Sequence, residues 1–85
     1  MSKVCIRTTG GYALSDENES QAIAAGCAAY GFGQDFPAGA VWIGHSTTGW
    51  TGVYREWQGP KQPTVRLARF RDFGRALKYA QRVAA

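Results

Sequence analysis

Acid–base or nucleophilic chemistry would have to come from few side chains in this sequence: one histidine, His45, two cysteines, Cys5 and Cys27, and six carboxylates. A histidine titrates near neutrality and is the commonest proton carrier of active sites. His45, however, shares its alternation with Val41 and Ile43, which reads as a strand histidine buried in the core or at its rim with its hydrogen bonds satisfied. Cys27 stands among Ala24, Ala25, Ala28 and Ala29, where a thiol behaves as a small hydrophobe. Neither cysteine lies in a C-x-x-C or Cys/His spacing, so both read as reduced thiols, with no disulfide framework and no metal site. Asp16, Glu17 and Glu19 are placed to cap a helix and complement its dipole, while Glu56 and Asp72 sit among arginines that would pair with them. G-x-S-x-G, H-E-x-x-H and the P-loop are absent. The chain therefore reads as a non-enzyme, with no catalytic residue, cofactor or metal expected.

Binding chemistry is better provided for. The formal charge is +4, and it is unevenly spread: residues 1–54 carry two basic and four acidic groups, residues 55–85 eight basic and two acidic. Arg66, Arg69, Arg71, Arg75, Lys78 and Arg82, with Trp50, Tyr54 and Trp57, make the candidate partner-binding set. Such a set has two uses. Cations neutralise phosphates while Tyr54, Trp57 and Tyr79 stack on bases. Alternatively, a basic ridge docks on an acidic protein surface and exposed Trp, Tyr and Arg carry the interface energy. Three Trp and four Tyr exceed what the thin core of an 85-residue chain encloses. Accessible aromatics are expected in the loop of residues 30–37 and on a face bearing Trp42, Trp50 and Tyr54.

The elements that must position these residues follow from periodicity. Val4, Ile6 and Thr8 alternate with Lys3, Cys5, Arg7 and Thr9 as in a half-buried strand that Gly10-Gly11 ends. Residues 15–19 read as a helix start with Asp16 capping and Glu19 completing a capping box, which predicts a helix over residues 17–30. Its small stripe of Ala22, Ala25, Gly26 and Ala29 predicts close packing on a sheet. Strands follow over residues 41–45, 50–57 and 64–70, joined by turns at residues 46–49 and 58–63. Asp72 caps a last helix in which Phe73, Ala76, Leu77, Ala80, Val83 and Ala84 recur at core spacing. Arg71, Arg75, Lys78 and Arg82 recur beside them as a basic ridge. The expected fold is α+β, a single small domain over residues 1–85, in the order β-α-β-β-β-α, with an antiparallel sheet and two helices packed on one face.

Two resemblances rest on particular stretches. Trp50-Thr51-Gly52-Val53-Tyr54-Arg55, followed by Phe70-Arg71-Asp72-Phe73-Gly74-Arg75-Ala76-Leu77-Lys78-Tyr79-Ala80, looks like a bacterial and phage pattern in which a tryptophan-bearing hairpin precedes a strand and an alanine-rich helix. Small proteins of that look include integrase arm-type DNA-binding domains and the phage-encoded inhibitors of host defence called anti-CRISPR proteins. The resemblance covers roughly the last 45 residues and concerns topology. It implies a non-enzymatic protein that binds and blocks a host protein complex, one that itself can contain nucleic acid. The order from Glu17 onward is also similar to the double-stranded RNA-binding domain, though Gly44-His45 lacks that family's proline and Asp72-Phe73-Gly74-Arg75 lacks its lysines. A domain binding nucleic acid directly through the basic last helix and the aromatic sheet face is thus the alternative expectation.

No run approaches the ~18 apolar residues of a membrane span, and Met1-Ser2-Lys3-Val4 lacks the apolar segment of a secretory signal. A cytoplasmic protein with no membrane partner is expected. The hairpin edges are compatible with a dimer.

Overall fold

The computed structural model describes residues 3–85. Its elements are β1 (Cys5–Arg7), α1 (Asp16–Ala24), β2 (Ala28–Tyr30), β3 (Val41–His45), β4 (Thr51–Arg55), β5 (Val65–Phe70) and α2 (Phe73–Ala84). The strands form one sheet in the order β2-β1-β3-β4-β5. The fold is α+β, as the periodicities predict, but the sheet is mixed: β1 runs parallel to both β2 and β3, and only β3, β4 and β5 alternate in direction. The parallel pairs arise because α1 carries the chain back after β1, and residues 31–40 carry it back again after β2.

The strand missed by periodicity is β2, which falls inside the helix expected over residues 17–30. That helix instead begins at Asp16, capped by Ser15, whose Oγ accepts from the Asn18 N–H at 3.2 Å. It ends at Ala24. Gly26 takes φ +94°, the Gly26 N–H donates to the Ile23 carbonyl and the Cys27 N–H to the Ala22 carbonyl, both at 3.0 Å. This is the paired bonding of a Schellman stop, with the glycine in the left-handed position that other residues resist. Beyond it, Cys27-Ala28-Ala29-Tyr30 has helix-compatible residues but a better use, since β1 offers it a ladder of backbone hydrogen bonds. Ala28↔Cys5 and Tyr30↔Arg7 are in register. The small-residue stripe therefore does not form one packed helix face: Ala22 is buried, Ala25 and Gly26 are exposed, and Ala29 belongs to the edge strand.

The main core lies on one side of the sheet. Val4, Ile6, Val41, Ile43 and Val53 meet Phe73, Ala76, Leu77, Ala80 and Ala84 of α2, together with Leu14 and Ala22 from the α1 side. Ile6, Ile43 and Val53 are wholly enclosed. The alanines let α2 lie close to the sheet, and Asp72 fixes its start, Oδ2 accepting from the Arg75 N–H at 3.1 Å. No helix is long and apolar enough to cross a membrane among the described residues.

A second cluster covers the other face. Cys5, Phe36 and Trp42 are buried there, flanked by Ala28, Tyr30, Ala40 and Tyr54. The loop of residues 31–40 folds over this face and inserts Phe36. Arg7 closes it, with its guanidinium carbon 4.0 Å from the Phe36 ring centroid and Nη1 donating to the Gln34 carbonyl at 2.8 Å.

Candidate binding surfaces

The aromatic face is built by register. Trp42 pairs with Tyr54 and Gly44 with Gly52 across β3 and β4, so on this side each large ring has a glycine two residues along its own strand. Both rings fold over their glycine. A Cβ on Gly44 would come within 2.7 Å of Trp42 Cζ3, and a Cβ on Gly52 would overlap the Tyr54 ring. Lying flat, Trp42 and Tyr54 stack at 4.3 Å and 20°, Phe36 stacks on Trp42 at 4.8 Å, and Tyr12 meets Trp42 edge-on at 5.5 Å. Tyr12 is placed by its backbone, whose carbonyl accepts from the His45 N–H at 2.7 Å. Trp42 Nε1 is enclosed with no hydrogen-bond partner.

An irregularity in the next strand brings cations onto this face. Tyr54 pairs with Arg66 and Gly52 with Arg69, while Val53 pairs with Ala68, because the β4–β5 register shifts between Val53 and Tyr54. A regular ladder would put Arg66 and Ala68 on the aromatic side and turn Arg69 toward the core. With the bulge, Leu67, Ala68 and Phe70 serve the α2 side, and Arg66 and Arg69 both stand on the aromatic side. Arg69 and Arg71 hold their guanidinium carbons 4.4 and 4.5 Å from the Trp50 ring centroid. Trp50 is only partly exposed. It serves as the surface on which two arginines rest, rather than as the free anchor that sequence suggests. The signal for this was present in Arg66-Leu67-Ala68-Arg69, where cations three apart break the two-residue period of a strand.

The expected ridge of Arg71, Arg75, Lys78 and Arg82 is divided by the structure. Arg71, in the turn before α2, is committed to Trp50. Arg75, Lys78 and Arg82 stay exposed on α2 and surround a shallow cleft of about 210 Å³ whose floor is Phe70 and Tyr79. Those two rings lie 5.5 Å apart, and Arg82 reaches over Tyr79 at 5.6 Å. Since α2 covers one side of the sheet and Tyr54, Arg66 and Arg69 occupy the other, the last helix and the aromatic face do not form one continuous surface. The basic last helix and the aromatic sheet face, named together as the elements of a nucleic-acid-binding domain, lie on opposite sides of the sheet.

The remaining aromatics also separate. Trp57 is 51% exposed but lies beyond the end of β4, its N–H donating to Thr64 Oγ1 at 3.0 Å, apart from both surfaces. Trp42, expected to be accessible, is buried. Phe32, at 94% exposed, is the loop aromatic that meets solvent instead.

Among the described residues, the histidine and the two cysteines are not assembled with one another. Of the two positions its alternation allows, core or rim, His45 takes the exposed rim at the end of β3; its Thr51 neighbour faces the core in a registered pair. Burial raises the pKa of both thiols above the ordinary 9.0; a hydrogen bond with Tyr30 partly offsets this for Cys5, and the charge of Cys5 adds to it for Cys27. Both remain thiols at neutral pH. No cluster of three or more His, Cys, Asp or Glu side chains able to hold a metal occurs among the described residues. Compared with known proteins, the chain matches no family model, no curated sequence and no solved structure.

Proposed function

We propose that this protein is a non-enzymatic interaction protein that binds and blocks a larger host complex, in the manner of the small phage-encoded inhibitors it resembles, and that α2 is its docking element. The observation that carries the reading is the cleft on α2, where Arg75, Lys78 and Arg82 rim the rings of Phe70 and Tyr79. Arginine and tyrosine around an apolar floor are the residues that dominate interface energy, and the cationic rim selects an acidic partner surface. The opposite side of the same helix is locked into the core by Phe73, Leu77 and three alanines, so the rim is presented without a folding cost on binding. A buried Cys5, a partly buried Cys27, both protonated, and a solitary histidine agree with a protein that binds rather than reacts.

The test is capture from host lysate after nuclease treatment, run in parallel with wild type and with the Arg75→Glu, Lys78→Glu double variant. A stoichiometric protein complex held by wild type and lost by the variant supports docking through α2. Capture unaffected by the variant, or material recovered only without nuclease, removes the reading.

A further inference from the structure

The sheet face opposite α2 is an independent surface, and its composition points to a different ligand. We propose that it binds single-stranded nucleic acid: the cleft between Tyr12, Tyr54 and Arg66 receives a base, and Arg66, Arg69 and Arg71 hold the adjoining phosphates. The inference does not rest on the α2 reading, because the sheet itself separates the two surfaces.

Three observations converge. The first is the bulge opposite Val53 and Tyr54, which places Arg66 and Arg69 together on the aromatic side. Burial gives no reason for Arg69 to be there, since it is exposed; the bulge's effect is to bring its charge to that face. Arg71 follows two residues on, in the turn after β5. Three cations in succession along β5 and that turn suit the phosphates of a stretched single strand.

The second is how the guanidiniums are held. Arg7 and Arg55 donate to the Gln34 and Gly39 carbonyls. Among the described residues, no protein acceptor meets Arg66, Arg69 or Arg71. Arg69 and Arg71 rest on Trp50 instead, a contact that leaves their N–H groups available to an anionic oxygen.

The third is the cleft itself. It measures about 450 Å³ and is lined by Tyr12, Tyr54 and Arg66, with His45, Ser46 and Thr47 on its rim. Tyr12 is 52% exposed and Tyr54 is partly so, which leaves aromatic surface to stack on, and the hydroxyls offer donors and acceptors to base edges. A base reaches such a cleft only when it is unpaired and turned out from its neighbours, which selects single strands over duplex. An acidic peptide would satisfy the arginines but leave the Tyr12–Tyr54 stacking surface unused.

The experiment is titration of the full chain with a fluorescent oligothymidylate, its RNA counterpart, a duplex of equal length and an oligoglutamate peptide. Single strands are expected to bind best, with log affinity falling against log salt at a slope near −2, from three phosphate contacts at about −0.7 each. Arg66→Ala is expected to reduce that slope by about 0.7. Tyr12→Ala, at a half-exposed position, should weaken binding about 5- to 150-fold with folding retained, the range of one lost stacked base. Arg75→Glu with Lys78→Glu should lower affinity only through long-range charge and leave the effect of Tyr12→Ala intact. Equal or tighter binding of duplex or of oligoglutamate, or binding indifferent to Tyr12→Ala, overturns the proposal. So does the absence of single-strand binding at low salt.

Discussion

Trp42 lies across Gly44, the residue two positions along its own strand, so closely that a single methyl group at Gly44 would meet Cζ3 at 2.7 Å. The same methyl would press on the Tyr12 carbonyl oxygen at 3.1 Å. Glycine is required here by the neighbouring ring and not by its backbone angles. Gly44→Ala is expected to cost about 1–3 kcal/mol through overpacking. In a domain of this size, each kcal/mol lowers Tm by about 4–8 °C. Thermal unfolding followed by tryptophan fluorescence measures it, and a change under 2 °C would show that the Trp42 ring moves aside freely.

The two helix caps should differ in consequence, though both side chains accept from the backbone N–H three residues on. Asp72 starts a helix whose five core residues join three strands, so Asp72→Ala is expected to remove about 1 kcal/mol of global stability. Ser15 starts α1, in which only Ala22 is buried. Ser15→Ala should increase hydrogen exchange within α1 and leave the global unfolding midpoint nearly unchanged. Equal loss of global stability from both would show that α1 is fully coupled to the core.

Alkaline stability should depend on the thiols. Burial disfavours the thiolates of Cys5 and Cys27 in the folded chain, raising both above the ordinary 9.0. Between that value and the raised ones, the native state binds more protons than the unfolded state, so stability falls as pH rises. Below pH 9 this contribution is constant. Denaturant midpoints from pH 7 to 10.5 are expected to decline more steeply for wild type than for Cys27→Ala, and coincident slopes would contradict it.

Charge on α2 should govern encounter rather than fold. Arg75 and Lys78 are exposed and rim the α2 cleft, so reversing both is expected to leave Tm within a few degrees. Under the proposed docking role, association with an acidic protein partner should slow by about tenfold or more at low ionic strength, with the difference narrowing as salt is added. Stopped-flow or surface-binding kinetics at two salt concentrations separates this from a change in dissociation.

The signals of the last helix were legible directly, whereas the cap of α1 is Ser15 and not Asp16. The α2 core stripe, the Asp72 cap, the turn at residues 46–49 and the opposed faces of β3 all follow from residue type and spacing, because each depends on neighbours within four or five positions. The extent of α1 was not legible. Alanine favours a helix, and only the availability of β1 as a pairing partner converts residues 28–30 into a strand. Parallel pairing of β1 with β2 and β3 likewise depends on which segments meet after long excursions.

The sequence by itself determined the α+β class and the concentration of cations in the last third of the chain, since composition and local periodicity encode these. The tertiary structure alone decided how those cations are divided. A one-residue bulge turned Arg69 to the aromatic face, Trp50 drew in Arg71, and the thickness of the sheet set both apart from Arg75, Lys78 and Arg82. Strand register is a relation between two distant segments, and no spacing within either one specifies it.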